Sequence, residues 1–176
     1  MTRYRKQARQ GHERPSTVRI QAPVSCSVAR PNHERQWDAG AEENSYACKE
    51  PDPESLCTAA NTCGSPSQPC MVNVKRTASA ASATPSIPDA KGNKLFCVKV
   101  DTSVTWHSDT KHQGFVVDMG PNSPFEPPDD IIGGSQKDVT VRAKVPGCYR
   151  FSAGACASGA IYGMCGNGTS ELVIVK

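Results

Sequence analysis

Cysteine is the residue type with most chemical potential in this 176-residue chain, which carries nine of them. Cys48, Cys57, Cys63 and Cys70 fall within 23 residues, at spacings of 9, 6 and 7. Such a cluster can hold zinc or close disulfides. Structural zinc sites rely on Cys-x2–4-Cys knuckles, whose tight turn aims both thiolates at one ion, and no knuckle occurs here. Cross-links suit the segment better, because it is punctuated by Pro and Gly and has few apolar residues. The even count predicts that these four pair among themselves, and four cysteines allow three connectivities. Cys97, Cys148, Cys156 and Cys165 form a second even group, expected to be mostly oxidised. Cys26 is then the odd thiol. Disulfides place the chain outside the reducing cytosol.

Other reactive residues form no recognisable catalytic set. No Gly-x-Ser-x-Gly elbow occurs, nor His-Glu-x-x-His, nor Gly-x-x-x-x-Gly-Lys. His107 and His112 lie five apart in a Ser/Asp/Thr/Lys turn and read as solvated or hydrogen-bonded. Asp129-Asp130, after Glu126-Pro-Pro, reads as a solvated face. The glycine-rich run 153–169 precedes a strand, whereas phosphate loops open a helix whose amides hold the anion. No enzymatic activity is expected.

The elements that would position these residues are strands. From Cys70 onward apolar residues alternate at a period of two: Val72 and Val74; Phe96, Val98 and Val100; Val104 and Trp106; Val139, Val141, Ala143 and Val145. Phe115–Met119, Tyr149 with Phe151, and Leu172–Val175 complete about seven short strands with Gly/Pro turns, an all-β sandwich. Phe96, Val98, Trp106, Val141, Tyr149, Phe151 and Ile174 are expected to point inward. Residues 77–90, rich in Ala, Ser and Thr with two Pro, read as a long loop. Residues 1–45 have neither hydrophobic period and read as an extended arm that cannot offset its own chain entropy. The expected organisation is therefore a basic arm (1–45), an irregular Cys-bearing segment (46–69) and a sandwich (70–176).

Charge follows the same division. Residues 1–35 carry eight Arg/Lys against two Glu, residues 36–70 one Lys against six acids, and the rest eleven against nine, for a net +3. The total is too small to mark a nucleic-acid binder. No apolar run reaches the ~18 residues of a membrane-spanning helix. No apolar core follows the basic Met1–Gln10 stretch, so no conventional signal peptide is visible.

The C-terminal block resembles the plastocyanin-like cupredoxins. Lys94-Leu-Phe-Cys-Val-Lys-Val-Asp-Thr-Ser-Val-Thr-Trp106 resembles their Phe-x-Val-x-x-Gly-x-x-Val-x-Trp strands. His112-Gln-Gly-Phe-Val-Val resembles the segment carrying their first copper histidine, and Gly147-Cys-Tyr-Arg-Phe151 the strand leading to their copper cysteine. Gly163-Met-Cys-Gly166 and Leu172-Val-Ile-Val175 resemble the end of the ligand loop and the closing strand. The resemblance spans residues 70–176 and implies a Greek-key β-sandwich of cupredoxin type in an extracytoplasmic setting. It also implies a copper site held by two imidazoles, one thiolate and a weak axial thioether.

That ligand set is incomplete. Cys156 and Met164 keep the separation of the family's Cys-x2-His-x4-Met loop, but Gly159 stands at the histidine place. No histidine follows His112. Cys156 also lies nine residues after Gly147 where the family has six, which puts Ala153 at the ligand position. A rearranged site would draw on His107, His112, Cys156 and Met164. The favoured expectation is instead a non-catalytic binding or structural subunit without the standard copper site. It would belong to a larger extracytoplasmic (periplasmic, secreted or cell-surface) or membrane-associated assembly, and need no cofactor. Its arm (Arg3, Arg5, Lys6, Arg9, Arg14, Arg19) would reach along a protein partner. The alternative is a small copper-binding electron carrier.

Overall fold

A computed structural model of the chain describes Tyr46, Cys48, residues 50–164 and residues 169–176. The basic arm residues Arg3 to Arg19, Cys26 and Cys165 lie outside them. Among the described residues the only helical element is a short 3-10 turn, Glu54–Leu56. No described helix is long and apolar enough to cross a membrane.

Among the described residues eleven strands form two sheets. In the first, β1 (Cys70–Thr77) and β2 (Ala80–Pro85) make an antiparallel hairpin. β1 pairs in parallel with β4 (Ser103–His107), which runs antiparallel to β8 (Val139–Ala143), and β8 holds the short β6 (Phe125–Glu126). In the second, β3 (Phe96–Lys99) lies parallel to β11 (Thr169–Val175). Next come β9 (Gly147–Ala157), β5 (Gly114–Asp118) and β7 (Ile131–Gly134), each antiparallel to its neighbour. β10 (Ala160–Tyr162) folds back on β9 through Ser158-Gly159, both at positive φ, as a two-residue hairpin loop requires. Strands cross repeatedly between sheets, the Greek-key β-sandwich of cupredoxin type expected from the sequence.

Alternation decides the faces. Phe96, Val98, Trp106, Val141, Phe151 and Ile174 are buried between the sheets, and Tyr149 packs at the margin, half-buried. The Trp106 ring meets Phe151 and Phe125 edge-on, with centroids 5.5 and 6.3 Å apart, and Phe96 meets Phe151 at 6.3 Å. Each such ring contributes roughly 1.5–3 kcal/mol through burial and further through its edge-to-face contacts. Val145 falls past the end of β8 and is exposed.

The loop expected over residues 77–90 contains β2 instead. Ala81, Ala83 and Pro85 turn inward while Ser82 and Thr84 turn outward. Its period of two is carried by small side chains, which give little hydrophobic contrast. β2 is also an edge strand, where Pro costs no ladder bond.

Candidate functional site

The Cys-bearing segment is laced onto the second sheet. Cys97 on β3, Val173 on β11 and Cys148 on β9 are direct cross-strand partners in one row. Their neighbours Phe96, Val98, Leu172 and Ile174 belong to the core, so this row lies on the sheet's outer face. Cys148 is bonded to Cys48 and Cys97 to Cys57, with Cα–Cα distances of 5.6 and 5.7 Å. The chain between Cys48 and Cys57 therefore crosses above β11, and Val173, though outward, has no exposed surface. Beyond it the segment pairs with the edge of β3: Cys97 N–H donates to Asn61 O and Cys63 N–H to Cys97 O.

This corrects the expected pairing. Only Cys63–Cys70, with Cα atoms 5.1 Å apart, is internal to the first group. Cys48 and Cys57 bond outside it because the segment lies flat on a sheet and faces strand cysteines rather than folding on itself. Cys156, expected among the oxidised cysteines, is a free thiol.

The metal candidates do not converge. Phe151, Ala153 and Ala155 of β9 point inward, so Cys156 points out of the sandwich, beside Gly114 of β5. Met164 lies on the same outer face, its side chain over Gly154: a Cβ there would sit 2.8 Å from Met164 Cγ. Burial pushes the Cys156 thiol up, away from the thiolate a soft metal needs. His107, following inward Trp106, turns outward from the other sheet, and its Nδ1 lies 3.2 Å from Asp109 Oδ1. Asp109 also accepts from Asn73 Nδ2. Packed sheets stand about 10 Å apart, far more than the ~2–2.3 Å of metal–ligand bonds. His112 is exposed at a positive-φ turn, its N–H donating to Ser135 Oγ. Gly159, at the second-imidazole place, is a hairpin turn residue with nothing near it. Ala153, the ligand position by direct count, is mid-strand opposite Val117. Among the described residues no three His, Cys, Asp or Glu form a metal-holding group. Among the described residues no ligand set fits a blue-copper ion.

Two side-chain amides, absent from the sequence reading, organise the sheet edges instead. Gln113 is buried just after His112. Its Oε1 accepts from Arg76 N–H at 3.1 Å, and its Nε2 donates to Val74 O at 3.1 Å and Ser108 Oγ at 2.8 Å. β4 stops pairing with β1 at Asn73, so the Gln113 amide continues the ladder where the strand has ended. Asn93 does the same for β2: Nδ2 donates to Ala81 O, Oδ1 accepts from Ala83 N–H, and its own N–H donates to Ala83 O. Arg76 then lies 3.6 Å over the Tyr162 ring, fastening the β9–β10 hairpin across to β1. No local sequence signal marks Gln113. Asn93, in the left-handed region, follows Gly92 in a turn-like run.

Tyr46 supplies the other anchor. Its ring packs on Gly120, where a Cβ would come within 2.6 Å of it. Its hydroxyl donates to Asp118 Oδ2 at 2.5 Å, and its carbonyl accepts from Arg150 N–H at 3.2 Å. Burial, the Asp118 bond and the nearby carboxylates push the phenol up to about 12. Burial and the charges of Asp118 and Asp129 raise the Asp130 carboxyl. A shallow, polar surface depression of about 180 Å³ is lined by Asn93, Leu95, Arg150, Thr169, Ser170 and Glu171.

No protein-family model matches the chain, and no curated protein matches it. Among solved structures it is similar to an oxidized methionine-to-lysine mutant of amicyanin and to a Cu(I) methionine-to-alanine mutant of amicyanin. Each has 10 % identity and a TM-score of 0.36, covering 65 % of this chain and 93 % of that one. It is also similar to a chain of a heme-copper terminal oxidase dimer, at 11 % identity and TM-score 0.29, covering 52 % of this chain and 56 % of that one. Likeness of this order assigns no role to any residue, and the cupredoxin-like fold rests on the strand order itself.

Proposed function

We propose that this chain is a non-catalytic, cupredoxin-like binding or structural subunit of a larger extracytoplasmic or membrane-associated assembly, without a blue-copper site. The observation that carries this reading is the course of β9. It runs as regular strand through Ala153–Ala157 and turns tightly at Ser158-Gly159, where the resemblance would need a ligand loop. The three disulfides among the described residues support an oxidising compartment. In this reading Arg3, Arg5, Lys6, Arg9, Arg14 and Arg19 engage a protein partner, and no nucleic acid is bound. The electron-carrier alternative draws on one observation: Cys156 is a free thiol and shares a face with Met164.

Metal analysis and absorbance of the oxidised protein, titrated with one equivalent of copper, test the choice. The expected result is no stoichiometric copper and no intense thiolate–copper band, unchanged by Cys156→Ser. One tightly held copper with such a band, lost in Cys156→Ser or His112→Ala, would establish the electron carrier instead. Chemical cross-linking in the source material, expected to join the chain to a protein partner, tests the subunit half of the reading. A chain that is monomeric there refutes it.

A further inference from the structure

We propose that the segment from Cys48 to Cys57 is a redox-released strap, hinged at β3 and unlocked by reduction of the Cys48–Cys148 bond by a dithiol. The inference is independent of the copper question.

The three bonds differ in access. Cys63 and Cys70 have no exposed surface, and Cys97 has none, whereas Cys48 and Cys148 are both partly exposed. A reductant must approach along the S–S axis, so a bond with two open ends is attacked most readily. One thiolate of the dithiol attacks a sulfur of the pair, forming a mixed disulfide and expelling the other cysteine as thiolate. The reductant's second thiol then displaces the first cysteine. Two electrons and two protons pass to the protein, leaving two cysteine thiols and a cyclic disulfide on the reductant.

The two ends of the strap are held differently. At the β3 end, Cys57–Cys97 is reinforced by the backbone bonds of Asn61 and Cys63 to Cys97. At the β9 end, once Cys48–Cys148 is open, the contacts seen are non-covalent: the Tyr46 carbonyl on Arg150 N–H, its hydroxyl on Asp118, and its ring on Gly120. Opening therefore swings the strap about β3. It uncovers Val173 and the stretch of β9 near Arg150, which β5 does not reach because their pairing ends at Ser152. The result is an apolar spot beside an unpaired strand edge, features that take an added strand.

Oxidised full-length protein is exposed to limiting dithiothreitol, quenched by alkylation at intervals and mapped by mass spectrometry. Cys48 and Cys148 are expected to label at least about tenfold faster than Cys63 and Cys70, since the closed bond needs local opening first. At that stage, hydrogen exchange should show loss of protection at the Arg150 amide while β11 stays protected. A glutamate-specific protease should cut faster at Glu54–Ser55. The Cys48→Ser/Cys148→Ser variant should show the released pattern without reductant. Simultaneous labelling of all three pairs with loss of the fold would overturn the proposal. So would a bond that opens without change at Arg150. The native-protein kinetics decide the matter even if the double variant does not fold.

Discussion

Replacing Gln113 with methionine keeps the side chain's length and removes every hydrogen bond it makes. The Val74 carbonyl belongs to a residue with no exposed surface and loses its donor, as does the buried Ser108 hydroxyl. Leaving a buried acceptor unpaired costs about 1–3 kcal/mol. The Arg76 amide sits nearer the surface, where water can replace Oε1, and adds about 0.5–1 kcal/mol. The expected loss is thus about 2–4 kcal/mol, a drop in Tm on the order of 10 °C for a domain of this size. Urea unfolding with the disulfides intact measures it, and hydrogen exchange should show the Arg76 amide losing protection. Gln113→Glu sharpens the test. Its carboxylate can still accept from Arg76 but faces the Val74 oxygen, so its folded pKa must rise above the ordinary value of about 4.3. The defect should be small below that value and grow as pH rises through the shifted one. A Gln113→Met loss under about 0.5 kcal/mol, within the range of ordinary surface changes, with Arg76 still protected, would show that the amide does not extend the ladder.

Two glycines at positive φ should respond very differently to alanine. A Cβ at Gly163 would lie 2.3 Å from the Ala81 backbone nitrogen, so Gly163→Ala should cost roughly 2–4 kcal/mol. At Gly159 nothing lies within 4 Å, so the cost should be only about 1 kcal/mol, and equal losses in denaturation would contradict the packing described. Tyr46 should ionise only at about pH 12 in ultraviolet titration, well above the ordinary tyrosine value. The stability it contributes should be full below pH 10 and fade as pH climbs to about 12, a step missing from Tyr46→Phe. The Lys144 ammonium, 2.8 Å from Asp101, holds that exposed carboxyl below its ordinary 3.8. Its contribution is present above that value and lost as pH falls, so Lys144→Met should flatten the acid side of the stability profile slightly; a steeper profile would refute the pairing.

Strands with contrast between faces were legible in the sequence. Val72 and Val74, Val104 and Trp106, and Val139 and Val141 announce their sheets because bulky apolar residues alternate with polar ones. β2 has the same period but writes it in Ala against Ser and Thr, so composition masked it. The face of Cys156 was also encoded, five positions after inward Phe151. Reading it required knowing that the strand continues through Gly154, and glycine suggested a loop. The missing imidazole at Gly159 was plain from residue type alone. The disulfide partners were not, since counting cysteines by proximity in sequence favours local closure, whereas Cys48 finds Cys148 only through the position of β9. Gln113 was illegible because its role depends on where β4 stops.

The cross-bonded strap also imposes an order on the chain's own manufacture. As the polypeptide emerges, Cys63 and Cys70 are separated by only seven positions and can close early. Cys57 must wait for a partner 40 residues on, and Cys48 for one 100 residues on. Throughout that interval Cys48 and Cys57 are nearer in sequence to each other than to their native partners, so an oxidising compartment would favour their joining. β3 meanwhile waits for β11, the strand that follows all the others in sequence, before its inner edge is paired. Any such early cross-link must be reshuffled after residue 148 has emerged, so oxidative refolding should give a higher yield with a disulfide isomerase than without one.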